Sequence, residues 1–317
     1  MHAIDTEDLT KDYALGFWRK RPYRALDRLT LAVEPGSVFG LLGPNGAGKT
    51  TTLKLLLQLV FPTGGRAEIL GRPAGDVSVR RRIGYLPENP YFYDHLTAVE
   101  LLDYFGRLLG LGGAERAARI PRLLDQVGLG AERRLQLRRF SKGMLQRVGL
   151  AQALLNEPEV VFLDEPMSGL DPIGRRMVRK LILGLRDRGA TVFFSSHILS
   201  DAEAVCSRVA TLAGGRLVAS GRLTDLLAFG IKGWEVVVEG VDAAAIERVR
   251  TMAVRVTPIA ERRYAVELPS TARPELVMAE MAAVGASVVS INPLRDTLED
   301  YFMRQVAEHG RERQVRE

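Results

Sequence analysis

One cysteine in 317 residues, Cys206, leaves no possibility of an internal disulfide, so nothing in this chain is stapled covalently. The four histidines are scattered without ligand spacing, which excludes the zinc patterns built from repeated His and Cys. No apolar run approaches the roughly 18 residues that a membrane-spanning helix needs. Lysine is also scarce: it makes up seven of the 44 basic residues, and the rest are arginine. The N-terminus, Met1-His2-Ala3-Ile4-Asp5, has neither the basic nor the apolar region of a signal peptide, so residence in the cytosol is the expectation.

What is present suits a soluble globular protein: 46% hydrophobic and 26% charged residues, with length for one large domain and a smaller one. A net charge of +6 and a pI near 9.6 would admit nucleic acid or an anionic membrane surface as a partner. The basic clusters (Arg19-Lys20-Arg21, Arg80-Arg81-Arg82, Arg133-Arg134, Arg138-Arg139) are short and interrupted by acids, and read as scattered surface arginine.

The informative stretch is Gly43-Pro44-Asn45-Gly46-Ala47-Gly48-Lys49-Thr50-Thr51. It follows the apolar run 38–42 and leads into a helical pattern, the strand–loop–helix context of a phosphate-binding P-loop (Walker A). The glycines let backbone N–H groups turn inward around a phosphate chain, the helix dipole adds partial positive charge, and Lys49 adds a full one. Thr50 offers a hydroxyl to Mg²⁺, and Thr51 a further hydrogen bond to phosphate. This loop binds a nucleoside triphosphate.

Around it, residues 4–12 read as a first strand ended by Tyr13, and 14–23, with Phe17 and Trp18, as an exposed insertion or hairpin tip. A second strand covers 24–33, a helix 49–60 and a short strand 66–70. After the buried run 83–86, the pattern between about 90 and 156 is helical, opened by the capping box Thr97/Glu100. Val160–Leu163 and Ala190–Ser195 are continuous apolar runs separated by a helix at 172–187, the mark of parallel strands buried on both faces. Beyond residue 230 the order strand, helix, strand, strand, helix, strand, with a closing helix at 296–307, is ferredoxin-like. The expected fold is thus α/β: a P-loop NTPase core with an antiparallel β subdomain and a helical insert, followed by a small α+β domain over 231–307 and a charged tail at 308–317.

Hydrolysis needs a metal, a group that orients or deprotonates water, and positive charge at the γ-phosphate. Asp164, at the end of an apolar strand, suits Mg²⁺, and adjacent Glu165 suits polarisation of water. His197 ends the next core strand at the same edge, where ligands gather in open α/β sheets.

Residues 1–220 resemble the nucleotide-binding subunit of an ATP-binding-cassette (ABC) transporter. Phe140-Ser141-Lys142-Gly143-Met144 lies where that family has its L-S-G-G-Q signature; Ser168-Gly169-Leu170-Asp171 resembles its D-loop, and His197 its switch histidine. The resemblance implies a head-to-tail homodimer, or a pair with a paralogous ATPase. In it, ATP bound by Lys49, Thr50, Thr51 and Asp164 of one copy is closed over by Ser141 and Gly143 of the other. It also implies that Asp171 belongs to the nucleotide site, that Tyr13 stacks on adenine (Trp18 and Tyr23 being possible substitutes), and that a separate integral-membrane permease is the partner, so that the chain sits peripherally on the inner face of the cell membrane. Pro90–Leu96, rich in aromatics, either packs its rings on the helical insert or, by resemblance, forms the groove that receives a helix of the permease. Glu88 stands where many members have Gln, within reach of Mg²⁺ or water; Lys142 replaces a glycine, either adding charge near the phosphates or pointing to solvent; Met144 replaces Gln. The S-K-G-M signature, Glu88 and the C-terminal pattern Thr297–Phe302 resemble the exporter branch for drugs and lipids. A soluble ABC-type ATPase acting on nucleic acid or ribosomes is the alternative, but a single cassette without sustained heptads makes it the weaker one, and no nucleic-acid partner is expected. A small-molecule kinase would leave Ser141, Gly143, Asp171 and His197 unexplained.

Overall fold

Apolar runs and alternation sort the strands of the first 222 residues into two sheets. In chain order these are β1 (Ile4–Leu15), β2 (Arg21–Val33), β3 (Val38–Leu42), β4 (Gly64–Ile69), β5 (Arg72–Pro73), β6 (Ile83–Leu86), β7 (Val160–Asp164), β8 (Thr191–Ser196), β9 (Arg208–Ala213) and β10 (Arg216–Arg222). One sheet is antiparallel in the order β2-β1-β4-β5; the other runs β10-β9-β3-β8-β7-β6, parallel except for its β10 edge. Every residue of β3, β7 and β8 is buried, as expected for central strands covered on both faces. This computed structural model describes residues 1–16, 21–226 and 232–294.

The helices are α1 (Lys49–Leu56), α2 (Val77–Arg80), α3 (Ala98–Leu108), α4 (Gly113–Gln126), α5 (Lys142–Ala153), α6 (Pro172–Asp187), α7 (Leu199–Glu203) and α8 (Leu223–Leu226). Local chemistry accounts for their starts. Thr97 and Glu100 form the complete capping box of α3, and Asp171 caps α6 by accepting the Gly174 N–H at 2.7 Å, with Pro172 in the first turn. Along α6 the buried positions Val178, Leu181, Ile182 and Leu185 make one apolar stripe. Helix α1 contributes Leu53, Leu55 and Leu56 to a core that also takes Ile4, Leu9, Leu26 and Ile69 from the antiparallel sheet and Phe39, Phe162 and Phe193 from the parallel one. The phosphate loop therefore starts a helix wedged between both sheets.

Two expectations about this region change. Tyr13 does not end the first strand, which continues to Leu15, and Tyr23 lies in β2 directly opposite it. Aromatic residues favour a pleated surface, and this cross-strand pair extends the ladder. Phe17 and Trp18 lie outside the described residues. Helix α1 stops at Leu56 instead of residue 60, where Gln58 adopts a left-handed conformation (φ 54°) and its side-chain amide donates to the Leu55 carbonyl at 3.1 Å.

The chain divides after Leu223 into two compact units. In the second, β11 (Gly233–Glu239), α9 (Ala243–Arg250), β12 (Arg255–Ala260), β13 (Arg263–Pro269), α10 (Pro274–Ala283) and β14 (Ser287–Leu294) form an antiparallel sheet in the order β12-β13-β11-β14. This is the ferredoxin-like split β-α-β arrangement, closed around Val236, Val238, Ile246, Val249, Val266, Leu268 and Met281. Residue 230, the expected boundary, the closing helix at 296–307 with Thr297–Phe302, and the tail at 308–317 lie outside the described residues.

At the centre of the parallel sheet, Phe193 stacks on Phe39 at 5.4 Å between ring centroids and meets Phe162 at 5.8 Å. Phe193→Ala is expected to cost about 3–5 kcal/mol of stability, read as a lower urea midpoint by circular dichroism; a loss below about 1 kcal/mol would mean that this trio does not hold the sheet.

Candidate functional site

The parallel sheet brings the ends of β3, β6, β7 and β8 to one edge, and with them the phosphate loop, Glu88, Asp164-Glu165 and His197. Gly48 starts α1 with φ +104°, and a Cβ there would approach the Ala25 carbonyl to 2.7 Å, so only glycine lets the loop turn this close to β2. Lys49 is buried at 6% exposure; its Nζ donates to the carbonyls of Gly43 (2.7 Å) and Pro44 (3.2 Å) and lies 3.3 Å from Glu165 Oε1. A buried ammonium is tolerable because it is both hydrogen-bonded and paired.

Asp164 is sealed at 1% exposure. The Ser195 hydroxyl donates to its Oδ1 at 2.6 Å and the Thr50 hydroxyl at 3.3 Å. Burial raises its pKa above the ordinary carboxylate value; those two hydrogen bonds oppose the rise, and the charges of Glu88 and Glu165 add to it. Ser195 also accepts the Glu165 N–H at 3.0 Å, so one hydroxyl ties the two acids together. Glu165 sits just past β7 in a left-handed conformation, φ 50°, uncommon for a residue with a side chain. Its carboxylate is held on both sides, by Lys49 at Oε1 and by His197 Nδ1 at 2.8 Å from Oε2. A carboxylate fixed this way can accept a proton from, or orient, a water beside a phosphate.

Lys49, Glu165 and His197 line one cleft of about 450 Å³, together with Tyr13, Tyr23, the rest of Asn45 to Thr51, Glu88 and Ser168. Tyr13 and Tyr23 both reach it, so adenine has two candidate aromatic partners; Lys11 Nζ lies 5.1 Å from the Tyr13 ring centroid. Ser141, Gly143 and Asp171 are not in this cleft. They line a second one of about 610 Å³ with Lys142, Arg147 and Gly169. Sequence reasoning gave Ser195 no role beyond ending a strand; a hydroxyl after Phe193-Phe194, in a fully buried strand, is the signal that could have marked it.

Among the described residues no three His, Cys, Asp or Glu side chains group closely enough to cage a metal. The donor set fits Mg²⁺ nonetheless, because that ion takes one or two carboxylates and completes its shell with water and substrate phosphates. The Thr50 hydroxyl beside the Asp164 carboxylate, with the repulsion from Glu88 and Glu165 to relieve, suits such an ion.

The family model for ABC transporters matches residues 26–168. An uncharacterized ABC transporter ATP-binding protein of Synechocystis sp. is 47% identical over 98% of this chain and 86% of its own length. The Nod factor export ATP-binding protein I of Cupriavidus metallidurans is 38% identical over 64% of this chain and 67% of its own. A dimeric ATP-binding cassette solved in a post-hydrolysis state with ADP and Pi superimposes with a TM-score of 0.64 at 26% identity, covering 69% of this chain and 98% of that one. With the phosphate loop, the buried acids and the switch-like histidine at one sheet edge, these likenesses make the chain a member of the ABC transporter family, an ATP-binding subunit.

Proposed function

We propose that this subunit hydrolyses ATP in a head-to-tail pair and thereby powers export through a separate membrane permease. The observation that carries the hydrolytic part is Glu165, held between Lys49 and His197 beside the phosphate loop. Lys49 and the loop's N–H groups bind the phosphates; Thr50 and Asp164, with Glu88 nearby, hold Mg²⁺, which supplies Lewis-acid charge stabilisation when bound. Glu165 orients or deprotonates the attacking water. His197 keeps the Glu165 carboxylate aimed and contacts the γ-phosphate. Tyr13, or Tyr23, stacks on adenine.

Two observations favour the pair. The signature residues Ser141 and Gly143, with Asp171, line a cleft of their own, apart from the one lined by the phosphate loop, which supports their acting on nucleotide brought by another chain. A similar cassette was also solved as a dimer. The direction of transport rests on the relative named for Nod factor export, together with the S-K-G-M signature and Glu88. Pro90–Leu96 offers the permease a face on which Tyr91 is 98% and Tyr93 57% exposed. No helix among the described residues is long and apolar enough to cross a membrane, so a peripheral place against the permease suits the chain. No observation favours the soluble, nucleic-acid-directed alternative.

Glu165→Gln should lower ATP hydrolysis by roughly 10²–10⁴-fold while ATP still binds; near-normal phosphate release would remove Glu165 from its role. Lys49→Ala should weaken ATP binding by roughly 10–100-fold, since a charge-assisted phosphate contact is lost, and calorimetric titration with unchanged affinity would count against it. Chelation with EDTA should stop turnover and added Mg²⁺ should restore it; undiminished hydrolysis in EDTA would refute the metal assignment to Thr50 and Asp164.

A further inference from the structure

One buried carboxylate of the first unit takes no part in the chemistry described above. Asp201, in the short helix α7, is 1% exposed and follows His197 by one turn of chain. Its Oδ1 accepts from Arg179 Nη2 at 2.7 Å, and its Oδ2 lies 3.9 Å from Arg175 Nη1. Both arginines belong to α6, which the stripe of Val178, Leu181, Ile182 and Leu185 fixes in the core. The pairing is incomplete, since Oδ2 makes no hydrogen bond and neither does the buried Nε of Arg179. A buried ion pair of this kind contributes little net stability, so its place between two helices calls for another reason.

Helix α7 has little of its own to keep it in place. It is five residues long, its first turn has no side-chain cap, and a helix that short is not stable unaided. Ala202 packs inside the fold, and Asp201 ties the helix to α6. From Asp201 the way back to His197 is one tight turn. The Asp201 N–H donates to the Ile198 carbonyl at 3.2 Å. The Ser196 hydroxyl donates to that carbonyl at 3.1 Å and accepts the Ile198 N–H at 2.9 Å. Ile198 is therefore held at both backbone groups, and His197 directly precedes it. The His197 ring, in turn, meets Glu165 Oε2 through Nδ1 at 2.8 Å. That ring is 40% exposed, so side-chain packing alone does not fix it and its aim depends on the backbone that carries it.

We infer that Asp201 is a positioning residue for hydrolysis: through Arg179 and Arg175 it docks α7 on α6 and thereby holds the His197 ring against Glu165. The inference rests on the reading above that His197 keeps the Glu165 carboxylate aimed. Asp201 is not among the residues that line the nucleotide cleft, so it acts on the rate through His197 and leaves ATP binding alone. The anchor has to be a carboxylate, because a neutral or apolar side chain there would leave the buried side of two guanidiniums without an opposite charge.

The test measures ATP hydrolysis and ATP binding by the full chain. Asp201→Asn keeps the shape and loses the charge; it should lower kcat by roughly tenfold or more, with KM and the Kd for ATP within about twofold of the parent's. Asp201→Glu should recover most of the loss. Arg179→Met removes the partner from a side chain that is 37% exposed, and should give the same pattern in smaller measure because Arg175 remains; it replaces Asp201→Asn in every arm if circular dichroism shows that variant unfolded. In a His197→Ala background, Asp201→Asn should change kcat by less than about twofold. NMR of the chain labelled with ¹⁵N-histidine reads the contact itself. The His197 ring, identified among the four histidines as the signal that His197→Ala removes, should show a hydrogen-bonded Nδ1 in the parent, lose it in Asp201→Asn and regain it in Asp201→Glu. Where the His197→Ala background turns over too slowly to measure, this signal decides. An unchanged kcat in Asp201→Asn would overturn the inference. So would an undiminished loss in the His197→Ala background or an unaltered His197 signal, either of which would make the ion pair a brace for the fold alone. If His197→Ala by itself hydrolyses ATP at the parent's rate, the reading of His197 falls, and the role of Asp201 falls with it.

Discussion

Two adjacent carboxylates, Asp164 and Glu165, close a strand in the protein's interior, 1% and 7% exposed, and the surrounding structure is arranged to hold them there. An ionised carboxylate taken from water costs several kcal/mol unless hydrogen bonds and opposite charge replace the lost hydration. Asp164 receives hydroxyls from Ser195 and Thr50, and Glu165 receives the ammonium of Lys49 and the His197 ring. The donors come from three segments outside the acids' strand: the first turn of helix α1 (Lys49 and Thr50), strand β8 (Ser195) and the residue beyond it (His197). The strand order β3-β8-β7 is what lets these segments meet, because β8 lies between the phosphate loop's strand and the acids' strand, and its Ser195 can reach both Asp164 and the Glu165 N–H. The left-handed backbone at Glu165 belongs to the same constraint: it lets consecutive residues aim their carboxylates at different partners.

The antiparallel sheet has a part in this although it supplies no catalytic group. Helix α1 is pressed between the two sheets, and Gly48 comes so close to the Ala25 carbonyl that the loop's position depends on β2. The same strand presents Tyr23 opposite Tyr13 on β1, so the sheet that backs the phosphate loop also carries both aromatic candidates for the base. Packing of one helix thus sets the spacing between the phosphate end and the base end of the cleft.

What could be read in the sequence is what short-range chemistry dictates. The capping box at Thr97, the Asp171-Pro172 start of α6, and the apolar runs that became β7 and β8 carry their signals within a few residues. The phosphate loop is of this kind too, and its neighbours in space follow once the parallel order is assumed. Residues whose place depends on distant partners were not legible. The extension of β1 through Tyr13 depends on its register with Tyr23, and the bridging by Ser195 depends on β8 lying next to β7. The stop of α1 at Leu56 has no nearby breaker, since Pro62 is six residues on; a left-handed Gln58 makes the turn. The separation of Ser141 and Asp171 from the phosphate loop is a statement about two clefts, which no spacing along the chain expresses.

A route from the nucleotide to the permease, on the proposed reading, need not be long. Strand β6 ends at Leu86; Glu88 faces the first cleft, and Tyr91, three residues further, is almost wholly exposed. Pro87 and Pro90 bracket the link and restrict its backbone, so displacement at one end is poorly absorbed by the other. On the far side the link is anchored, the Arg138 N–H donating to the Asp94 carbonyl at 2.9 Å and the Leu137 N–H to that of Leu96 at 2.8 Å. Those donors lie on the short segment Leu137–Arg139 that leads through Phe140 to Ser141. The face offered to the permease is therefore tied at one end to a carboxylate that raises the pKa of Asp164, and at the other to the segment that would close over a second chain's ATP. A permease that moved this loop would act on both halves of the site together, which is the physical requirement for coupling transport to hydrolysis.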